Sequence, residues 1–135
     1  ENDIKVKRLA GKLDRVLVDA PCSGLGTLRR NPDLKWRQSP ESVAELVAKQ
    51  AAILTSAARL VKSGGRLVYA TCSLLAEENE AVVEAFLAAN ESFMPLPAGD
   101  ILKHQGIDLG DMDALRLLPH VHGSDGFFAM AMERK

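Results

Sequence analysis

The sequence predicts an α/β fold in which parallel strands flanked by helices end in an antiparallel C-terminal strand. Three observations lead there. The runs "LDRVLVDA" (13–20) and "RLVYATCS" (66–73) are short, apolar and dense in Val and Leu, as strands buried on both faces are. A stretch of helical periodicity follows each run, and strand, helix, strand, helix in that order implies parallel neighbours. The later segments "SFMPLP", "ALRLLP" and "FFAMAMERK" are strand-like but separated by loops; the last two, joined only by "HVHGSDG", predict antiparallel pairing.

Residues 21–38 mix glycine, proline and charge without periodicity and are expected to be loop. Ser39, Pro40 and Glu41 form a helix start, with a capping hydroxyl, a proline in the first turn and an early acid. From there Val43, Leu46, Val47, Ile53, Leu54, Ala57 and Leu60 recur near 3.6-residue spacing, and Gly64 with Gly65 are expected to stop the helix. A second helix is expected over 76–90, its Glu77, Glu78 and Glu80 crowding the first turn where the helix dipole favours anions. Residues 98–114 are polar and glycine-containing, as a surface loop is.

At 135 residues, 47% of them apolar, the chain is one domain's worth with enough apolar side chains for a core. Its 17 basic and 18 acidic residues nearly cancel, so no global field draws it to nucleic acid or an anionic membrane, and such contacts must be local. No apolar run approaches the roughly 18 residues of a spanning helix, and "ENDIKVKRLAGK" is too polar for a signal peptide. A cytoplasmic chain without membrane contact is the expectation. In such a reducing compartment the two cysteines are not expected to form a structural disulfide.

Those two cysteines sit in an echo. "LVDAPCSGLG" (17–26) and "LVYATCSLLA" (67–76) both run from an apolar stretch through a small residue to Cys followed by Ser. Ligands bind beyond the carboxyl ends of parallel strands, and neighbouring strands lie roughly 5 Å apart, so Cys22 and Cys72 are expected to face one crevice. Alone, either cysteine reads as a small buried hydrophobe. Together they admit three chemistries. Structural zinc wants about four close ligands, yet His104, His120 and His122 lie far along the chain. A redox pair would normally be a CxxC, which is absent. A cysteine nucleophile with a second group to finish its reaction fits better, and a helix N-terminus near a strand end can lower a thiol's pKa.

"DAPCSGLGTLRRNPDLKW" together with "ATCSLLAEENEAVVEAFL" resembles the two signature segments of the RNA cytosine-5 methyltransferases of the Sun/Nop type, and "LRLLPHVHGSDGFFAMAMERK" is similar to that family's C-terminus. The resemblance covers nearly the whole chain. It implies a Rossmann-like methyltransferase fold, S-adenosylmethionine as cofactor and ribosomal RNA, 16S RNA first, as partner. By the same carry-over Cys72 is the nucleophile that adds to carbon 6 of cytosine, and Cys22 assists release of the product, acting as base. Asp19 would hold the cytosine edge and, with Pro21, border the cofactor; the competing reading makes Asp19 a turn former bonded to its own backbone. Gly24 and Gly26 would let backbone approach a flat ligand. Arg29, Arg30, Lys35 and Arg37 around Trp36 form a basic and aromatic patch suited to phosphate contact and base stacking; against that stands a solvated loop with Trp36 pinned into the helix packing.

The family's glycine-rich cofactor loop has no counterpart in "ENDIKVKRLAGKLDR". Residues 1–135 are therefore expected to be the C-terminal part of a catalytic domain, lacking its cofactor-binding first half and an N-terminal RNA-binding region, and inactive alone. The first strand should expose an edge, which invites self-association. "EENE" (77–80) is read as helix-start electrostatics, His120 and His122 as loop polar groups, and Asp125 with Gly126 as a tight turn. The alternative function is an RNA-binding module without catalysis, resting on the patch at 29–37. A cysteine hydrolase lacks a histidine at a strand end near either cysteine.

Overall fold

The computed structural model describes residues 4–135; the first three residues of the polar N-terminal stretch lie outside the described residues. A short helix, α1 (Ile4–Lys7), precedes the first strand, β1 (Leu13–Asp19). Where the sequence reading expects only loop, the chain makes a 3-10 turn at Leu25–Thr27 and a single helical turn, α2 (Leu34–Arg37).

The long helix α3 (Pro40–Ala58) starts as its residues dictate. Ser39 Oγ accepts from the Ser42 N–H at 3.2 Å and Ser42 Oγ accepts from the Ser39 N–H at 2.9 Å, a reciprocal capping box with Pro40 in the first turn. It ends at Ala58, well before the glycine pair expected to stop it, and the next strand, β2 (Val61–Thr71), is already under way at Gly64. Gly64 takes a φ of +74°, and the pairing with β1 jumps from Leu13–Val61 to Arg15–Arg66. The glycines thus make a bulge in a strand, because a left-handed residue serves a strand irregularity as readily as a helix end.

The remaining elements are α4 (Glu80–Ala89), β3 (Phe93–Leu96), α5 (Ala98–His104), β4 (Leu115–Leu117), α6 (Pro119–His122) and β5 (Phe127–Arg134). α5 occupies ground expected to be surface loop; its Ala98 and Gly99 are buried, and a Cβ on Gly99 would stand 2.6 Å from the Gly110 carbonyl oxygen.

The sheet order is β1-β2-β5-β3, with β4 also on β5. β1 and β2 are parallel, while β5 runs antiparallel to β2, β3 and β4, so the expected antiparallel C-terminal strand is present. β3 pairs with the C-terminal half of β5 and β4 with its N-terminal half; together they act as one interrupted strand whose gap holds α5. Leu54 of α3 with Val83 and Phe86 of α4 pack against Leu67, Tyr69 and Met132 of the sheet, and the Tyr69 and Phe128 rings meet edge to face at 6.4 Å. β1 departs from the expectation of burial on both faces. It is the edge strand: Val18 is buried, but Leu17 is 68% exposed, because among the described residues nothing covers the face it presents. No helix among the described residues is long and apolar enough to cross a membrane.

Since Leu54 is wholly buried in the layer between α3 and the sheet, Leu54→Ala should cost about 2–5 kcal/mol. Ser39→Ala, which removes only the cap, should cost about 1 kcal/mol. Denaturant unfolding of the two variants checks the ranking; equal losses would mean that α3 is held by its cap rather than by its packing.

Candidate active site

β1 and β2 deliver their carboxyl ends side by side, Asp19 opposite Ala70, and their last backbone link is the Ala20 N–H to the Ala70 carbonyl at 2.9 Å. Beyond it the two chains turn into separate loops, one carrying Pro21, Cys22 and Ser23, the other Cys72 and Ser73. The two sulfurs lie 3.4 Å apart, partly buried and not joined by a disulfide. At that distance either thiol can donate to the other.

What brings the loops together is a group that the sequence reading assigned to helix electrostatics. Glu78 lies in the turn before α4, not on the helix, and is 0% exposed. Its Oε2 accepts from the hydroxyls of both Ser23, at 2.6 Å, and Ser73. Its Oε1 accepts from the Ser23 N–H at 2.8 Å and from Gln50 Nε2 at 3.0 Å. The serines repeat one geometry: each hydroxyl accepts from the N–H two residues on, Leu25 at 3.4 Å and Leu75 at 3.0 Å, while donating to the same carboxylate oxygen. Here the echo has its physical content. Each Ser after a Cys is a handle, and one carboxylate holds both. The serines were the signal; a buried acceptor to match them was the inference to draw from it.

Neighbouring groups complete the support. Asn79 accepts from the Thr71 hydroxyl and donates to the Ser73 carbonyl at 3.0 Å, the Tyr69 hydroxyl donates to the Glu78 carbonyl at 2.6 Å, and Gln50 Nε2 also donates to the Pro21 carbonyl at 2.9 Å. These inward-turned side chains are why α4 begins at Glu80 and not at the alanine expected to open it. Gly26 backs the other side: its N–H donates to the Cys72 carbonyl at 2.8 Å, and its carbonyl accepts from the Gly126 N–H at 2.7 Å. A Cβ on Gly26 would stand 2.5 Å from the Cys72 oxygen and 2.4 Å from the Gly126 oxygen. Its missing side chain therefore serves contact between backbones.

The other residues singled out in the sequence divide. Asp19 is exposed at the strand end and, among the described residues, its side chain has no hydrogen-bond or ion-pair partner, so it is not a turn former bonded to its own backbone. Pro21 is exposed beside it. In the basic patch, Arg29 donates to the Gly123 carbonyl at 3.0 Å, Arg30 pairs with Asp125 at 2.7 Å and Arg37 with Asp33 at 2.8 Å. Asp125 thus ties its loop to the Cys22 loop, beyond setting a turn. Trp36 is 81% exposed and carries the Lys35 ammonium 4.8 Å from its ring centre, so it is not pinned into the helix packing. An apolar groove of about 770 Å³ runs between Leu25, Leu28, Val43, Val47 and Leu75, next to the thiol loops. His120 and His122 lie in α6, where His122 Nδ1 accepts from the Leu118 N–H at 2.9 Å. Among the described residues no three His, Cys, Asp or Glu side chains gather as a metal site.

The electrostatics of Cys22 run against the expected lowering. Burial, with the hydrogen bond and charge of Cys72 adding to it, pushes the Cys22 thiol up to about 12. At neutral pH Cys22 rests protonated.

Residues 2–133 match the family described as 16S rRNA methyltransferase RsmB/F. Over 122 residues the chain is 47% identical to the probable ribosomal RNA small subunit methyltransferase B of Synechocystis sp., covering 90% of this chain and 27% of that protein. It is similar to the crystal structure of PH0851, with a TM-score of 0.82 and 40% identity over 93% of this chain and 27% of that one. The crystal structure of NSun6 from Pyrococcus horikoshii with SFG gives a TM-score of 0.73 and 28% identity, over 96% of this chain and 32% of that one. The chain spans about a quarter of the length of the curated relatives it matches. With a match along nearly its whole length and an α/β sheet like that of these solved structures, the chain belongs to the 16S rRNA methyltransferase RsmB/F family.

Proposed function

We propose that these residues form the C-terminal part of the catalytic domain of an S-adenosylmethionine-dependent ribosomal RNA (cytosine-5) methyltransferase acting on 16S RNA, with Cys72 as nucleophile and Cys22 as the group that releases the product. The observation that carries this reading is the 3.4 Å contact of two unjoined sulfurs at the ends of neighbouring parallel strands, in a chain of that family.

Carbon 5 of cytosine is a weak nucleophile. Addition of the Cys72 thiolate to carbon 6 makes a carbon–sulfur bond and moves the π pair of the ring onto carbon 5, which can then take a methyl group. S-adenosylmethionine, when bound, supplies that methyl. Cys22 then accepts the proton of carbon 5, the carbon–sulfur bond breaks, and the ring double bond returns with Cys72 free. Cys22, only partly buried, must first give its own proton to solvent before it can act so. Once the Cys72 sulfur is in a neutral carbon–sulfur bond, its charge no longer opposes one on Cys22, and of the main causes holding the thiol up burial remains.

The residues present fit their share of the cofactor's surroundings. Asp19, exposed with unspent acceptors at a strand end, suits a positively charged or hydrogen-bond-donating ligand, with Pro21 beside it. The open β1 edge and the exposed Leu17 support a sheet that continues in the longer protein, and by this reading the chain alone does not methylate. Trp36 and Lys35 offer a stacking platform for a base, whereas Arg30 and Arg37 are partly neutralised by their acidic partners.

RNA carrying 5-fluorocytosine tests the reading, because fluorine at carbon 5 cannot leave as a proton and the adduct cannot resolve. The longer protein should form a covalent species with it, seen as a band stable to denaturant; Cys72→Ala should abolish that band, and Cys22→Ala should accumulate adduct on ordinary cytosine. Binding without any covalent species would leave the non-catalytic RNA-binding module.

A second outcome concerns pH. Replacing Cys72 with Ala removes the hydrogen bond and charge but leaves burial, so the Cys22 midpoint should fall below about 12 yet stay above the ordinary thiol value of 9.0. The pH dependence of Cys22 alkylation in Cys72→Ala measures it; a midpoint at or below the ordinary value would show that the pocket does not desolvate the thiol.

A further inference from the structure

The geometry points to Glu78 as the positioning residue of the two-thiol site: its carboxylate holds the Cys22 and Cys72 loops in the one arrangement that puts their sulfurs in contact. The functional meaning of that role rests on the methyl-transfer reading; the geometric role does not.

Between the Ala20–Ala70 link and the Gly26–Cys72 link, no other backbone hydrogen bond joins the two loops among the described residues. Glu78 fills that gap, with its two oxygens on Ser23 Oγ, Ser23 N and Ser73 Oγ. Each serine directly follows a cysteine, so fixing the two hydroxyls on one oxygen fixes the two cysteine Cα atoms to within a peptide's reach. The carboxylate is wholly buried and both its oxygens are spent, so it cannot touch a substrate. It acts through the serines.

This arrangement is not an economical way to stabilise a fold. A buried carboxylate is costly to desolvate, and among the described residues no lysine or arginine pairs with Glu78. Gln50, also 0% exposed, spends its NH₂ on Glu78 and Pro21 and leaves its own Oε1 without a partner. An unpartnered buried acceptor is a further cost. Apolar side chains of similar volume would fill the space at lower cost, and departures of this kind concentrate where geometry is needed.

The distance between the sulfurs can be read without any methyl transfer. In a glutathione buffer, glutathione disulfide takes two electrons and two protons from the thiols of Cys22 and Cys72, leaving one protein disulfide and two glutathione molecules. The equilibrium constant reports how well the fold presents the sulfurs to each other. In the full chain, Glu78→Gln keeps the size but turns an NH₂ toward groups that are themselves donors. The constant should fall at least tenfold, about 30 mV for this two-electron couple, while Glu84→Gln, on the exposed side of α4, leaves it unchanged. Ser23→Ala and Ser73→Ala should each lower it, and either combined with Glu78→Gln should do little more than Glu78→Gln alone, since all act through one carboxylate.

Circular dichroism establishes that each variant is folded; should Glu78→Gln not fold, the two serine variants and Glu78→Asp carry the same comparison. A folded Glu78→Gln chain whose constant stays within twofold of the parent, or serine effects that add fully to it, would overturn the role. Loss of sulfur pairing in a protein whose longer form gives no covalent RNA adduct would uphold Glu78 and sink the methyl-transfer reading; an adduct with sulfur pairing unaffected would do the reverse.

Discussion

The contact between the two sulfurs depends on a carboxylate that neither β1 nor β2 supplies. Parallel pairing of β1 and β2 brings Asp19 and Ala70 level, but it specifies nothing about the loops beyond. Glu78 enters from the turn before α4 and Gln50 from the middle of α3, and both stand where they do because the helices are seated on the sheet. Leu54, one turn beyond Gln50 on α3, and Val83, on the first turns of α4, are both wholly buried in the core. The chain of dependence runs from apolar spacing, to helix seating, to a buried carboxylate, to two thiols. A loss in the core is therefore a loss at the site.

The antiparallel strand matters for a second reason. A strand that runs against its neighbours begins at the edge where they end, and Phe128 of β5 pairs with Thr71 at the end of β2. The residues just before β5 are thus placed beside the thiol loops. Gly126 gives its N–H to the Gly26 carbonyl, whose own N–H goes to the Cys72 carbonyl, and Asp125 pairs with Arg30. Three loops from distant parts of the sequence close on one another through backbone. That explains why glycine stands at 26 and 126: the chains approach too closely for any Cβ.

The elements that were legible in the sequence are those specified by local pattern. The Ser39 cap, the apolar stripe of α3, the strand runs and the antiparallel close all follow from side-chain spacing and short-range bonding. What was not legible depended on partners remote in sequence. "EENE" satisfies the dipole rule for a helix start, yet Glu78 is claimed by Ser23, 55 residues away, and by Ser73. Gly64 and Gly65 satisfy the rule for a helix stop, but the same backbone freedom serves a bulge, and register against β1 decides between them. The basic patch reads as four cations around Trp36, and only the fold sets Asp125 and Asp33 beside two of them. In each case a local rule was satisfied and a tertiary contact outweighed it.

The same contact that makes the thiol pair bears on the chemistry proposed for it. The sulfurs lie 3.4 Å apart in a partly buried site, where the hydrogen bond and charge of Cys72 add to the burial that holds the Cys22 proton. Cys22, pushed up by burial and by Cys72, rests as a thiol that can donate a hydrogen bond to its neighbour. In the proposed mechanism the Cys72 sulfur would leave that donor behind as it turns to a ring carbon. Once that sulfur were spent in a bond, Cys22 would have neither its partner nor an opposing charge, and of the main causes only burial would still hold its proton. By the proposed mechanism attack would ease release, because the sulfur that attacks also adds to the burial that keeps the second thiol protonated.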